Sequence, residues 1–245
     1  IHVSRDGKQA MFQRWYPYVI DTDGVGCTSA DIPVVVSPGC NKGLKTIPLP
    51  LYGSNTSGWA TITDGFSPDG TMLAYARSSQ TVPGGSFLSN VYLAKMNPVG
   101  VEQITTDQYG GNSAVVGSTG LYSYSCRPAC GIYWTEIDFS TGKPVGVIKL
   151  IFAHTTGSDF SYVLSSVSSD EKQFLLHHQY EHRVFLVNVD GVVSIREIGI
   201  GEYPKFTSDG RITWIGVKGA ILADHDGSNQ VLLGVGSETG LALIP

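Results

Sequence analysis

Charge is scarce in this chain. Of its 245 residues only 15% are Asp, Glu, Lys or Arg, and the formal net charge is −5. No basic run occurs, so the footprint of a nucleic-acid binder is missing. No stretch approaches the ~18 consecutive apolar residues that announce a membrane helix, so no transmembrane segment is expected. Sustained 3.6-residue periodicity is lacking too, which leaves little room for long amphipathic helices. The sequence holds no G-x-S-x-G elbow, HExxH, P-loop or GxGxxG entering a helix. The serine-hydrolase, zincin and nucleotide-phosphate readings fall with them. No CxxC or CxxCH is present either, which removes the thioredoxin-like and haem-attachment readings. No catalytic residue is assigned, no cofactor is expected, and the chain reads as non-enzymatic.

What is present is turn and strand chemistry. There are 30 Gly and 12 Tyr, with many Ser and Thr, as expected of short strands joined by frequent turns. The four cysteines fall in two local pairs. Twelve residues separate Cys27 from Cys40, and three separate Cys126 from Cys130. These spacings point to two local disulfides and hence to an oxidising compartment, periplasmic or extracellular. Four buried thiols are the alternative; a zinc site made from all four has the wrong spacing. The chain begins at Ile1, the expected look of a processed or trimmed chain from which an export signal could already be gone.

A repeat runs the length of the sequence. An apolar residue, small or polar residues and a turn recur as "VSRDG" at 3–7, "FSPDG" at 66–70, "VGSTG" at 116–120, "VSSDE" at 167–171 and "FTSDG" at 206–210. Asp caps its own backbone in such turns and Gly accepts positive φ. An alternating strand follows each turn, for example "TMLAYAR" and "KQFLLHH". A second strand then runs into an Asp- or Gly-rich turn, as in "VFLVNVDG" and "ILADHDG". A third follows, as in "VEQITT" and "VGVIKLIF", and a fourth leads into the next turn, as in "YVLSSVS". Each unit is thus four antiparallel strands, A to D. Such a unit cannot bury both faces alone, and radial stacking solves that problem. The expected fold is all-β: a single β-propeller over 1–245, five-bladed, with blades near 1–59, 60–110, 111–158, 159–200 and 201–245. Six blades is the alternative, if 25–62 hides a degenerate unit.

The quoted repeats resemble those of the TolB-like β-propeller family, whose S-P-D-G turn precedes an A-Y/F strand and whose next strand ends D-x-D-G. "FSPDGTMLAYAR" and "FTSDGRITWIG" match it closely, whereas the third unit has "STG" where the pattern has "PDG". The resemblance implies the fold and says little about activity, since such repeats serve periplasmic scaffolds, peptidase domains and polysaccharide lyases alike.

In a propeller the A–B and C–D turns share one face, and the B–C and D–A loops the other. Asp224, His225 and Asp226 look like a metal cluster in isolation, but in register they are a C–D turn. The B–C and D–A loops vary most, and function on repeat scaffolds usually sits in loops. The expected binding face therefore carries Trp15, Tyr16, Phe87, Tyr109, His154, Tyr180, Glu202 and Tyr203. It also carries the histidine-rich hairpin "HHQYEH" at 177–182. Strand alternation sends His177 and His178 to opposite faces. His178 and His182 could face each other across the hairpin with Glu181 beside them, the one candidate metal site. The resemblance to lyases with a His/Gln metal cluster keeps that option open, although their spaced histidines are not reproduced here. Two functions compete. The first is a non-enzymatic exported propeller that binds a protein partner as a scaffold or subunit of an envelope or extracellular assembly. The alternative is a carbohydrate-binding or carbohydrate-active propeller, lectin- or lyase-like, using the same loops.

Overall fold

The computed structural model describes residues 2–3, 9–13, 17–21, 45–46, 58–61, 65–80, 87–96, 99–106, 111–126, 128–154 and 161–234. These residues form antiparallel sheets and, among them, no helix. The first sheet joins β1 (His2–Val3), β2 (Gln9–Gln13), β3 (Pro17–Asp21) and β4 (Lys45–Thr46). The second joins β5 (Gly58–Thr61), β6 (Met72–Gln80), β7 (Phe87–Met96) and β8 (Val99–Gln103). The third holds β9 (Ser113–Val116), β10 (Gly120–Cys126), β11 (Cys130–Asp138), β12 (Lys143–Pro144) and β13 (Lys149–Ala153). The fourth is β14 (Tyr162–Val167), β15 (Gln173–His178), β16 (Arg183–Asn188) and β17 (Ser194–Ile200). The fifth is β18 (Glu202–Phe206), β19 (Ile212–Gly216), β20 (Gly219–Ala223) and β21 (Val231–Gly234). Neighbours in each sheet are neighbours in the chain, the pattern of consecutive hairpins, except that β13 of the third sheet pairs with β11. β5 opens at Gly58, slightly ahead of the expected start of its unit at residue 60.

One strand departs from expectation. The D strand of the third unit was expected to run unbroken through 145–152. It is split instead: β12 pairs with Ile137 and Asp138, and β13 with Gly131 to Trp134. Pro144 has no amide hydrogen to give the ladder, and Gly146 takes φ 87°. Both interrupt regular pairing.

The second to fifth sheets stack face to face, and alternation decides which side chain meets which neighbour. Met72, Ala74 and Leu93 of the second sheet pack on Ala114, Val116 and Leu121 of the third. On the other face of the third sheet, Val115, Tyr122 and Ile132 meet Leu164, Phe174 and Leu176 of the fourth. Leu175, Val184 and Leu186 then meet Ile212 and Trp214 of the fifth. So β15 is apolar on both sides, Phe174 and Leu176 facing one neighbour and Leu175 the other. A lone sheet could not shelter it. The first strands lie innermost: β9 packs on β6 and β14, and β14 on β18. This is the radial plan of a β-propeller with four-stranded blades.

The A–B turns show why the repeat carries Asp. Asp69 Oδ1 accepts from Ser67 Oγ at 2.5 Å and from the Thr71 amide at 3.0 Å. Asp170 accepts from Ser168 Oγ at 2.6 Å, and Asp209 from the Thr207 hydroxyl. Arg211 and that hydroxyl hold the Asp209 carboxyl down at about 2. Gly70 and Gly210 close their turns at φ 70° and 82°.

The third and fourth units break this rule together. Thr119 stands where the others have Asp, and Glu171 stands where the others have Gly. Glu171 keeps the glycine conformation at φ 58°. Its carboxylate crosses to the third unit's turn. It accepts from the amides of Ser118 and Thr119, from both their hydroxyls, and from Tyr122 Oη at 2.6 Å. Room exists because residue 117 is Gly where the sister turns have Ser or Thr. A Cβ there would lie 2.5 Å from Glu171 Oε1. The carboxylate missing from one turn is thus supplied by the next blade.

Candidate functional site

The B–C hairpins of the fourth and fifth sheets and the short connection between these sheets share one end, and the histidine-rich hairpin lies among them. His177 and His178 end β15 as cross-strand partners of Val184 and Arg183. As alternation requires, they point apart. His177 faces the fifth sheet: its Nδ1 lies 2.8 Å from Ser165 Oγ and its ring 5.5 Å from that of Tyr203. His178 faces the third sheet, its ring edge-on to Tyr162 at 4.9 Å. Tyr162 also meets His154 at 4.4 Å, and His154 Nδ1 sits 3.0 Å from Tyr124 Oη. A chain of rings, Tyr124–His154–Tyr162–His178, buried except for the partly buried Tyr162, therefore closes the seam between the third and fourth sheets. Burial, helped by the nearby His182 and His178, lowers the His177 pKa to about 4. That imidazole is neutral at physiological pH.

Glu181 and His182 belong to the hairpin tip, where His182 takes φ 52°. The Glu181 amide donates to His178 Nδ1 at 3.1 Å. The His182 imidazole turns away from His178 to the next sheet, its Nδ1 2.5 Å from Glu202 Oε1. Of the expected cluster, His182 thus has a carboxylate partner on the next sheet and His178 the amide of Glu181. The positive φ rotates one ring outward, while packing on Tyr162 holds the other inward. Among the described residues no group of three or more His, Cys, Asp or Glu side chains is placed to hold a metal ion.

Beyond the buried rings the surface is apolar and aromatic. Tyr180 is 78% exposed at its hairpin tip, and Tyr203 is 56% exposed in a left-handed conformation of φ 53° beside Glu202. Burial of the Tyr203 phenol, with the Glu202 charge beside it, raises its pKa. Ile200 (58% exposed) pairs with Arg183, and Val217 (86%) caps the β19–β20 hairpin. A Cβ on neighbouring Gly216 would lie 3.4 Å from the Ile200 carbonyl oxygen, so the Val217 hairpin adjoins the strand of Ile200. Arg183 links Glu181 and Glu197 at the margin.

Of the residues expected at this face, Tyr180, Glu202 and Tyr203 share it with His182. His154 lies beneath it, buried among rings. Phe87 opens β7, and its side chain is not among those described. Trp15, Tyr16 and Tyr109 lie outside the described residues. Sequence reasoning passed over Ile200, Val217 and Tyr162. Val217 did leave a signal, an aliphatic residue in a four-residue "GVKG" hairpin tip where turn chemistry expects polarity. Cys126 and Cys130 are joined in a disulfide across the neck of the β10–β11 hairpin. Cys27 and Cys40 lie outside the described residues. Asp224 and Asp226 serve their turn as expected, Asp226 accepting from the Ser228 amide and hydroxyl.

No protein-family profile matches the sequence, and no curated protein does. Solved structures do. TolB from Acinetobacter baumannii superposes with a TM-score of 0.56 at 16% identity, over 94% of this chain and 52% of that one. The fold is that of a β-propeller, which this TolB shares. A putative TolB from Agrobacterium tumefaciens gives 0.55 at 16% identity, over 94% of this chain and 78% of that one. The tricorn protease gives 0.54 at 12%, over 94% of this chain and 25% of the other. The chain thus spans about half of the A. baumannii protein. At these identities the TolB-like likeness concerns architecture, and the loops that form the candidate face must be read on their own chemistry. Among the described residues no helix is long and apolar enough to cross a membrane.

Proposed function

We propose that this chain is a non-enzymatic, protein-binding propeller, the scaffold or subunit of an exported assembly, and that it docks its partner on the B–C/D–A face. The observation that carries this reading is the group of exposed apolar side chains Tyr180, Ile200, Tyr203 and Val217 at one end of adjacent sheets. Aromatic and aliphatic anchors over rigid buried rings are what a docking surface needs. The Cys126–Cys130 disulfide supports an oxidising compartment, periplasmic or extracellular. The five antiparallel sheets among the described residues support a propeller of at least five blades. A photo-crosslinking residue placed at 180, 203 or 217 should yield a discrete protein adduct in cells. The same residue at Val192, exposed on the opposite face, should not. Equal adducts from both faces, or none from the first, would remove the proposal.

A carbohydrate site is the second reading, supported by the exposed Tyr203 ring beside the Glu202 carboxylate, a stacking surface next to a hydroxyl acceptor. A glycan array that binds the wild type and loses signal with Tyr203→Ser would favour it.

A further inference from the structure

The Cys126–Cys130 disulfide closes the last rung of the β10–β11 ladder, at the tip of the third sheet's B–C hairpin. With a sequence separation of only 4 it removes little entropy from the unfolded chain, so the bond does more for local order than for the fold as a whole. What it orders can be followed contact by contact. The Cys130 carbonyl accepts from the His154 amide at 2.8 Å, which anchors the end of β13. The His154 ring is held between Tyr124 Oη, 3.0 Å from its Nδ1, and the Tyr162 ring at 4.4 Å. Tyr162 stands edge-on to His178 at 4.9 Å, and His178 lies 6.3 Å from the Tyr180 ring. His178 Nδ1 accepts from the Glu181 amide at 3.1 Å, and its carbonyl from the His182 amide at 2.9 Å. The Gln179 amide donates to the carbonyl of Ser161, the neighbour of Tyr162, at 2.9 Å. One unbroken set of packed rings and hydrogen bonds thus runs from the disulfide of the third blade to the 178–182 hairpin of the fourth.

Packed side chains transmit a change only where some element has two discrete states. The disulfide is that element. Closed, it holds Cys126 and Cys130 in register and fixes the carbonyl that anchors His154. Open, it lets the hairpin tip fray, so that His154 loses its backbone anchor and the seat of Tyr162 and His178 loosens. We propose that the Cys126–Cys130 pair is a redox latch on the docking hairpin. Oxidation orders 178–182 and sets Tyr180 for its partner, and reduction by a dithiol releases it. In the reduction a dithiol thiolate attacks one cysteine sulfur, and the other cysteine leaves as a thiolate that takes up a proton. The second sulfur of the dithiol then displaces the first cysteine from the mixed disulfide. The cysteines gain two electrons and two protons, and the dithiol becomes a disulfide. The consequence for docking rests on the protein-binding reading above; the latch itself does not.

Amide hydrogen exchange reads the latch without any partner. Dithiothreitol should speed exchange at His154 by about tenfold or more, and at Gln179, Glu181 and His182 by about threefold or more. Val189, which donates to the Lys172 carbonyl at the other end of the fourth sheet, should keep its rate. The double variant Cys126→Ala/Cys130→Ala should show the fast rates with and without dithiothreitol. The proposal is overturned if His154 responds alone, or if Val189 accelerates equally, which would make the effect global unfolding. For docking, a photo-crosslinking residue at 180 should give several-fold less adduct in the alanine double variant than in wild type. Equal yields beside altered exchange would overturn control of docking. No adduct from wild type, with exchange still coupled, would leave the latch standing and remove the docking reading instead.

Discussion

Glu171→Ala removes a carboxylate that five donors of the neighbouring blade share, and its cost can be worked from the geometry. A hydrogen bond to a charged group contributes about 1.5–3 kcal/mol. The amides and hydroxyls of Ser118 and Thr119 are exposed, so water replaces most of what they lose. Tyr122 is buried, and its hydroxyl loses its close acceptor. A net loss of about 2–3 kcal/mol is expected for Glu171→Ala. Glu171→Gly loses the same bonds but relieves the left-handed backbone, so it should be about 1 kcal/mol more stable than the alanine variant. Gly117→Ser should destabilise the wild type, because its Cβ would lie 2.5 Å from Glu171 Oε1 and 2.7 Å from the Tyr122 ring, and should cost less in Glu171→Gly, where only the ring is left in its way. That non-additivity, read from urea unfolding of the four proteins, is the signature of two coupled positions. The pH dependence follows. Burial alone would raise the Glu171 pKa, but its donors outweigh that and hold it below the ordinary 4.5. A depressed carboxylate stabilises fully above the unfolded value, so the gap between wild type and Glu171→Ala should be constant from neutral pH down to about 4.5 and shrink below it. Additive behaviour of Gly117→Ser and Glu171→Gly, or an alanine variant as stable as wild type, would refute the reasoning.

His177 is held neutral by burial at a pKa of about 4 against an ordinary 6.5. The unfolded chain therefore takes up its proton first. Folding stability should fall as pH drops from 6.5 to 4, by about 2–3 kcal/mol from this group, and His177→Gln should flatten that slope in urea melts. Reducing the Cys126–Cys130 disulfide opens a loop with a sequence separation of 4. A loop this short should contribute only about 2 kcal/mol, seen as a modest drop in Tm on adding reductant. Gly201 has φ 152°, and a Cβ on it would lie 2.3 Å from the Ile215 carbonyl oxygen and 2.6 Å from the Trp214 ring. Gly201→Ala should cost at least about 2 kcal/mol in chemical denaturation, whereas Gly210→Ala, with open space around it, should cost about 1.

The strand order was legible because its signals are local. Period-two alternation and Asp-Gly turn chemistry act within a few residues, and five imperfect copies average out the decay of any one. The split of the third unit's outer strand was also written locally, in Pro144 and Gly146, but alternation over 145–152 masked it. The relations that shape the candidate face are of another kind. Nothing near His182 in sequence says that its imidazole will pair with Glu202 on the next sheet. That outcome depends on a left-handed residue at the hairpin tip and on how tightly Tyr162 grips the other ring. The same holds for the turn that lost its Asp. Read along the chain, "STG" and "SDE" are two unrelated lapses from the repeat, each of which should weaken its own blade. In space they are one arrangement, because the glycine that opens room at 117 and the glutamate that fills it sit on facing blades. In a radially stacked fold the unit under constraint is the interface between repeats. Deviations in neighbouring copies should therefore be compared across the stack before either is counted as erosion. Applied to the docking face, that rule makes Tyr203 and Val217 of the fifth unit, together with Tyr180 of the fourth, a single surface. Changing any one of them should disturb the adhesion of the other two more than a residue of equal exposure elsewhere.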